Sequence, residues 1–110
     1  MKLYLDCSSP KTILELDDKH YEWESGRTLA RDLHKFIHEK LVENQADWHD
    51  LTELHYFVGP GSFTGLRIGA TVINALGDQL KIPIYDQRGE RLQLAIPEYG
   101  REANITPPKK

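Results

Sequence analysis

The chain opens with alternating apolar and polar residues, the period-two pattern of strands that are half-buried in a sheet. Residues 2–6, 12–17 and 20–24 show this pattern. The residues between them, 8–11 and 17–19, are rich in Ser, Pro, Asp and Lys and are typical of tight turns. We therefore predict that the first three strands form an antiparallel meander.

A helical period replaces this alternation after residue 27. Thr28 is a suitable N-cap, and the helix is predicted to end near Asn44. Charged residues lie opposite a single apolar stripe, as expected for a helix that buries one side. The members of that stripe are Leu29, Leu33, Phe36, Ile37 and Leu41.

Two short apolar runs flank a second helical segment. Residues 54–58 and 82–85 are predicted as strands, and residues about 64–80 as a helix. The order βββαβαβ with right-handed crossovers gives an α/β fold, a mixed five-stranded sheet with both helices on one face. The C-terminal tail or a partner should cover the other face, because strand alternation gives it Tyr4, Phe57 and Tyr85.

The pattern weakens towards the C-terminus, so we divide the chain into a lobe, 1–86, and an extension, 87–110. Alternating Leu92, Leu94 and Ile96 allow a sixth short strand in the extension. Residues 104–110 are predicted to fray.

The second helix is apolar on two adjoining sides, which predicts packing on both. The first side is formed by Leu66, Gly69, Ala70, Ile73, Leu76 and Leu80. The second is formed by Ile68, Val72 and Ala75. One side must meet the sheet, and the other meets either the first helix or another protein chain.

Composition narrows the class of protein. With 110 residues, 39% of them hydrophobic, the chain is expected to form one globular domain. Its formal net charge of -3 and lack of a basic block argue against binding nucleic acid unaided. The single cysteine, Cys7, excludes an intramolecular disulfide. Without a segment suited to a signal peptide or membrane span, we predict a cytoplasmic protein that does not bind membranes.

Several side chains are candidates for chemical roles. His34 and His38 are four positions apart on the first helix, but a metal site needs a third ligand, so we predict a solvated face and no metal. Cys7 is predicted to be a buried, inert thiol. Arg67 has two open interpretations: it bonds carbonyl groups of the preceding turn, or it reaches an acidic group across an interface.

A glycine-rich turn, Gly59–Gly65, lies between a strand and the second helix, where phosphate-binding turns occur. It lacks the Gly-Lys-Ser/Thr ending of a P-loop, and its third glycine comes one residue late for the dinucleotide fingerprint. Asp86 follows the next strand, near the place of a ribose-binding acid. A small nucleotide-binding enzyme that uses this turn therefore stays open as an alternative.

The full string from Val58 to Gly69, VGPGSFTGLRIG, is more specific than its glycine spacing and resembles the signature of the TsaB (YeaZ) family. The opening strand, Leu3–Ser8, is similar to that family's first strand. Pro97, Tyr99 and Arg101 resemble a Pro-x-Tyr-x-Arg segment near its C-terminus. Since family members are longer, the resemblance implies a minimal form without the second lobe.

The resemblance implies a single actin/Hsp70-like (RNase H-like) lobe and a non-catalytic role. Such a subunit binds and activates TsaD, which transfers a threonylcarbamoyl group to the adenosine next to the tRNA anticodon, and TsaE completes the complex. ATP and metal would belong to those partner subunits, with no cofactor here, and tRNA would be reached only through the complex. Self-pairing also occurs in the family, so a homodimer, or a homodimeric interaction module unrelated to tRNA, is a further hypothesis.

Three sets of site residues follow from this interpretation. The partner surface is predicted on the outward sides of both helices, at Leu33, Ile37, Ile68, Val72 and Ala75, with the rim of the turn as the alternative. The motif turn comprises Gly59, Pro60, Gly61, Ser62, Phe63, Thr64, Gly65 and Arg67. Asp6 and Ser8 are predicted to be a relic of a phosphate-binding loop.

Overall fold

In a computed structural model, which describes residues 1–98, the chain folds around one mixed sheet. Its strands are β1 (Lys2–Asp6), β2 (Lys11–Leu16), β3 (Lys19–Glu24), β4 (Glu53–Tyr56), β5 (Ile84–Asp86) and β6 (Arg91–Leu92). Their order across the sheet is β3-β2-β1-β4-β5-β6. The first three strands pair antiparallel, whereas β1, β4 and β5 are mutually parallel.

The α/β class and the mixed sheet are therefore confirmed, but the sheet has six strands and not five. The sixth arises because β6 pairs antiparallel with β5, with Ile84 opposite Leu92. β6 has only two residues, so Leu92 alone of the alternating positions joins it, and Leu94 and Ile96 lie beyond its end.

The two helices are α1 (Leu29–Glu43) and α2 (Phe63–Leu80). A short 3-10 turn, Gly26–Thr28, precedes α1, and a second, Trp48–Asp50, follows it. Thr28 is the N-cap residue of α1, as predicted. Its hydroxyl makes no capping bond to the helix, because it donates a hydrogen bond to the Ser25 carbonyl at 2.8 Å within the preceding 3-10 turn.

Both helices pack on one face of the sheet and enclose the core. Side chains that alternate along β1, β2 and β4 point into it, and α1 and α2 cover them with leucine and isoleucine. The fully buried members include Leu3, Leu5, Leu14, Leu16, Leu33, Ile37, Leu41, Leu54, Tyr56, Leu66 and Ile73. The predicted arrangement of both helices on one face is thus confirmed.

The opposite face of the sheet carries half-buried Tyr4, Phe57 and Tyr85. The rings of His55 and Tyr85 stack with centroids 5.0 Å apart. Burial, together with the nearby carboxylates of Asp6 and Glu15, raises the pKa of Tyr4 to about 12. The predicted aromatic surface is therefore present.

The described part of the extension runs to α2. The Asn74 amide accepts a hydrogen bond from the Ala95 N–H at 2.7 Å and donates one to its carbonyl at 3.1 Å. Further on, the Glu98 N–H donates to the Val58 carbonyl. We call residues 93–98 the strap. The predicted frayed segment, and the Tyr99 and Arg101 of the C-terminal resemblance, lie outside the described residues.

Candidate partner-binding site

The glycine turn leads directly into α2. Gly59 has φ +129°, a conformation that favours glycine, and the peptide bond to Pro60 is cis. Ser62 is the N-cap of α2, and its hydroxyl accepts a hydrogen bond from the Gly65 N–H at 3.2 Å. The turn therefore fixes where α2 begins.

Small residues allow this helix to start in contact with the end of β1. A Cβ on Gly61 would collide with Ser8, and a Cβ on Gly65 would collide with the backbone carbonyl of Cys7. One turn further along, a Cβ on Gly69 would lie 2.6 Å from the Tyr56 hydroxyl. The glycines of the motif thus serve close packing of helix against strand.

Gln87 and Ser8 hold the glycine turn in place. The Gln87 amide accepts a hydrogen bond from the Val58 N–H and donates one to the Gly59 carbonyl, both at 3.1 Å. The Ser62 N–H donates to the Ser8 carbonyl at 2.7 Å. The turn is therefore braced from two sides.

Asp6 and Ser8 lie beside this turn, as the idea of a relic loop requires. The Asp6 carboxylate accepts a hydrogen bond from the Ser8 N–H at 2.8 Å. Ser8 in turn contacts the glycine turn through its carbonyl. The predicted relic loop and the glycine turn are therefore adjacent. These hydrogen bonds hold the two segments together.

Asp86, the residue that a dinucleotide site would need, is saturated. Only 1% of its surface is exposed, and its carboxylate accepts hydrogen bonds from the N–H groups of Arg88 and Glu90 and from the Arg88 guanidinium. The Glu90 N–H and then the Arg88 side chain hold the pKa of Asp86 below its ordinary value, against the opposing effect of burial. This carboxylate organises its own loop.

The outer side of α2 is apolar and accessible. Ile68 and Val72 are half-buried and Ala75 is exposed. Phe63 is 54% exposed, and the Arg67 guanidinium lies over its ring, 5.5 Å from the centroid. A groove of about 250 Å³ runs along this side between Phe63 and Thr71.

Comparison with known proteins shows the family to which this arrangement belongs. Residues 24–86, which include α1, the glycine turn and α2, match the family model described as TsaD, tRNA N6-adenosine threonylcarbamoyltransferase. That match covers more than half of the chain. The chain belongs to the TsaD family. The similar proteins described next are named TsaB or YeaZ, in agreement with the resemblance of the Val58–Gly69 string.

A YeaZ structure from Pseudomonas aeruginosa is similar, with 25% identity and a TM-score of 0.68 over 77% of this chain and 42% of its own. A second structure, of an uncharacterised protein with similarity to peptidase YeaZ from the same organism, has the same score and identity and is covered to 41%. The TsaB of Buchnera aphidicola, described as a tRNA threonylcarbamoyladenosine biosynthesis protein, is 38% identical over 48 residues, 44% of this chain and 22% of that protein. The chain therefore spans less than half the length of these relatives.

Within this TsaB-type lobe, two predicted partner residues are misplaced. Leu33 and Ile37 are 0% exposed and belong to the core, so the prediction that they lie on an outward surface is wrong. The physical reason is that α1 has one apolar stripe, and the sheet takes it. On α2, Ile68 and Val72 are half-buried beside the core and Ala75 is exposed, and their role in binding a partner stays a prediction.

Other contacts were missed from the sequence. Trp48 stacks on His34 and His38, with ring centroids 4.7 and 5.7 Å away. An apolar Trp inside a polar connection was the available signal. Nothing in the sequence marked Asn74 or Gln87, because the backbone groups that they bond are far away along the chain.

Cys7 is fully buried, and burial with the nearby Asp6 raises its pKa to about 12.

Among residues 1–98 no three His, Cys, Asp or Glu side chains lie where they could share a metal ion. No helix in the same range is long and apolar enough to cross a membrane.

Proposed function

We propose that this chain is a non-catalytic subunit that binds and activates TsaD for threonylcarbamoylation of the adenosine beside the tRNA anticodon. The observation that carries the proposal is the outer side of α2. It presents Ile68, Val72 and exposed Phe63 next to a guanidinium, on a helix that lies within the region of family resemblance.

The glycine turn supports this role by positioning α2. Its contacts with Ser8, Cys7 and Gln87 set the helix against the sheet, which leaves the far side of the helix available. In this proposal ATP and metal belong to TsaD and TsaE, and tRNA is contacted through the assembled complex. A second copy of the chain would compete with TsaD for the same surface.

The proposal is tested by reconstitution. TsaD and TsaE from the same organism are incubated with tRNA, ATP and an activated threonylcarbamoyl donor, with and without this chain, and threonylcarbamoyladenosine is measured in the digested tRNA. We expect product only when the chain is added with TsaD, and none with the chain alone. Equal product with and without the chain would contradict activation.

A further inference from the structure

A second depression lies beside the groove on α2. It is a cavity of about 320 Å³ between the β1–β2 turn, the 3-10 turn before α1 and the first turn of α2. Leu29 and Ile68 supply apolar lining, whereas Ser9, Ser62 and Thr64 supply hydroxyl groups. Its volume is at the small end of ligand pockets, roughly 300–1,000 Å³, and suits one large side chain.

The charge of this cavity differs from that of the whole protein. The chain carries a formal net charge of -3, yet the described residues that line the cavity include Arg27 and no carboxylate. Arg27 is exposed, and within residues 1–98 no acidic side chain forms an ion pair with it. An exposed guanidinium at the mouth of an acid-free cavity is complementary to a carboxylate.

The cavity and the groove form one continuous surface. Thr64 and Ile68 line both, and the groove adds the second guanidinium, Arg67. Among described residues, the lining of the groove also lacks a carboxylate. A segment crossing both depressions would meet two positive charges and two apolar floors. Buried apolar anchors of this kind, surrounded by polar rims, dominate the binding energy of protein interfaces.

We propose that the cavity receives one large apolar side chain from an acidic segment of the partner protein, and that Arg27 binds the carboxylate next to that side chain. This inference rests on the proposed function, because it names the chemistry by which TsaD is recognised. It places the anchor of the interface at the entrance of α2, about two turns before Val72.

The first test measures the dissociation constant of the full chain with TsaD. Arg27→Glu should raise it about tenfold or more, and Arg27→Gln should make it less dependent on salt. Arg91→Glu is the matched control, since Arg91 is exposed and pairs with Tyr85 on the far face of the sheet. Its dissociation constant should stay within about threefold. Circular dichroism verifies that each variant is folded.

The second test identifies the occupant. A benzophenone amino acid in place of Ser9 should crosslink to a TsaD peptide in which a large apolar residue neighbours Asp or Glu. Crosslinking to a TsaD segment without an acid, or to a second copy of this chain, would overturn the inference. So would Arg27→Glu binding as tightly as wild type. Failure of the wild-type chain to bind TsaD at all would instead overturn the proposed function, and this inference with it.

Discussion

The two helices pack on the same face of the sheet but present different surfaces to their surroundings. In α1, six of 15 residues are charged, and four of them form the ion pairs Arg31–Asp32 and Lys40–Glu43 at the surface, both at 2.9 Å. In α2, only Arg67 and Asp78 are charged among 18 residues. Both helices bury one side on the sheet, but they differ in charge, and the poorly charged helix is the better candidate for an interface.

The helices also differ in how they are supported. The α1 sequence contains no glycine, whereas α2 contains Gly65, Gly69 and Gly77. Each interior glycine weakens a helix by roughly 1 kcal/mol relative to alanine. Tertiary contacts must offset that cost, and α2 obtains them on both flanks, from α1 on one and from the strap on the other.

The largest difference between the two helices is expected when one valine on each helix is replaced by arginine. Val72→Arg on α2 should weaken TsaD binding about 100-fold or more, because it puts a charge at the centre of the proposed interface. Val42→Arg on α1, where Val42 is 57% exposed, should change binding less than about threefold. Isothermal titration of both variants decides, and equal losses would show that α1 belongs to the interface.

The difference in glycine content predicts that alanine is unfavourable at Gly65 of α2 but favourable on the exposed side of α1. Gly65→Ala should lower the free energy of unfolding by about 1–3 kcal/mol, because the new methyl group collides with the Cys7 carbonyl. Ala30→Gly on the exposed side of α1 should cost about 1 kcal/mol through helix propensity alone. Urea titrations measure both values. Stabilisation by Gly65→Ala would mean that propensity outweighs the close approach.

Removal of the strap contact tests the support of α2. Asn74→Ala deletes both hydrogen bonds to the backbone of Ala95, a residue that is only 3% exposed. We expect a loss of about 1–2 kcal/mol in unfolding free energy and faster amide hydrogen exchange in residues 93–98. Unchanged exchange would show that the strap is held by other contacts.

The smallest effect is predicted on the charged surface of α1. The Arg31 guanidinium lowers the pKa of Asp32 below its ordinary value of 3.8. Any stabilisation is therefore present above the unfolded-state pKa and is lost as the pH falls through the folded-state pKa. Because the pair is solvent-exposed, Asp32→Asn should leave the urea midpoint at pH 7 unchanged within error. A clear shift of the urea midpoint would show that this ion pair stabilises the fold.

The local patterns predicted most of the fold because they depend on neighbouring residues. Alternation placed β1, β2 and β3 within one residue, and the broad apolar surface of α2 correctly indicated packing on more than one side. The mixed sheet with both helices on one face followed from chain order and crossover handedness.

Contacts between distant residues could not be predicted in this way. Asn74 and Gln87 bond the backbone, and nothing in the pattern of side chains marks which residue they will meet. The error at Leu33 and Ile37 had another cause: a periodic pattern shows which residues share a side, but not whether that side meets the sheet or a partner.

The bond between Asn74 and Ala95 has an evolutionary consequence. Asn74 recognises the N–H and carbonyl of residue 95, which every residue except proline can offer. Substitutions at exposed Leu94 and Ile96 should therefore be tolerated in descendants of this sequence. A single insertion or deletion between Leu92 and Ala95 would place a different residue opposite Asn74. The side chains of the strap would then point to the opposite side. Variation in length, more than variation in residue type, is what selection should remove from this segment.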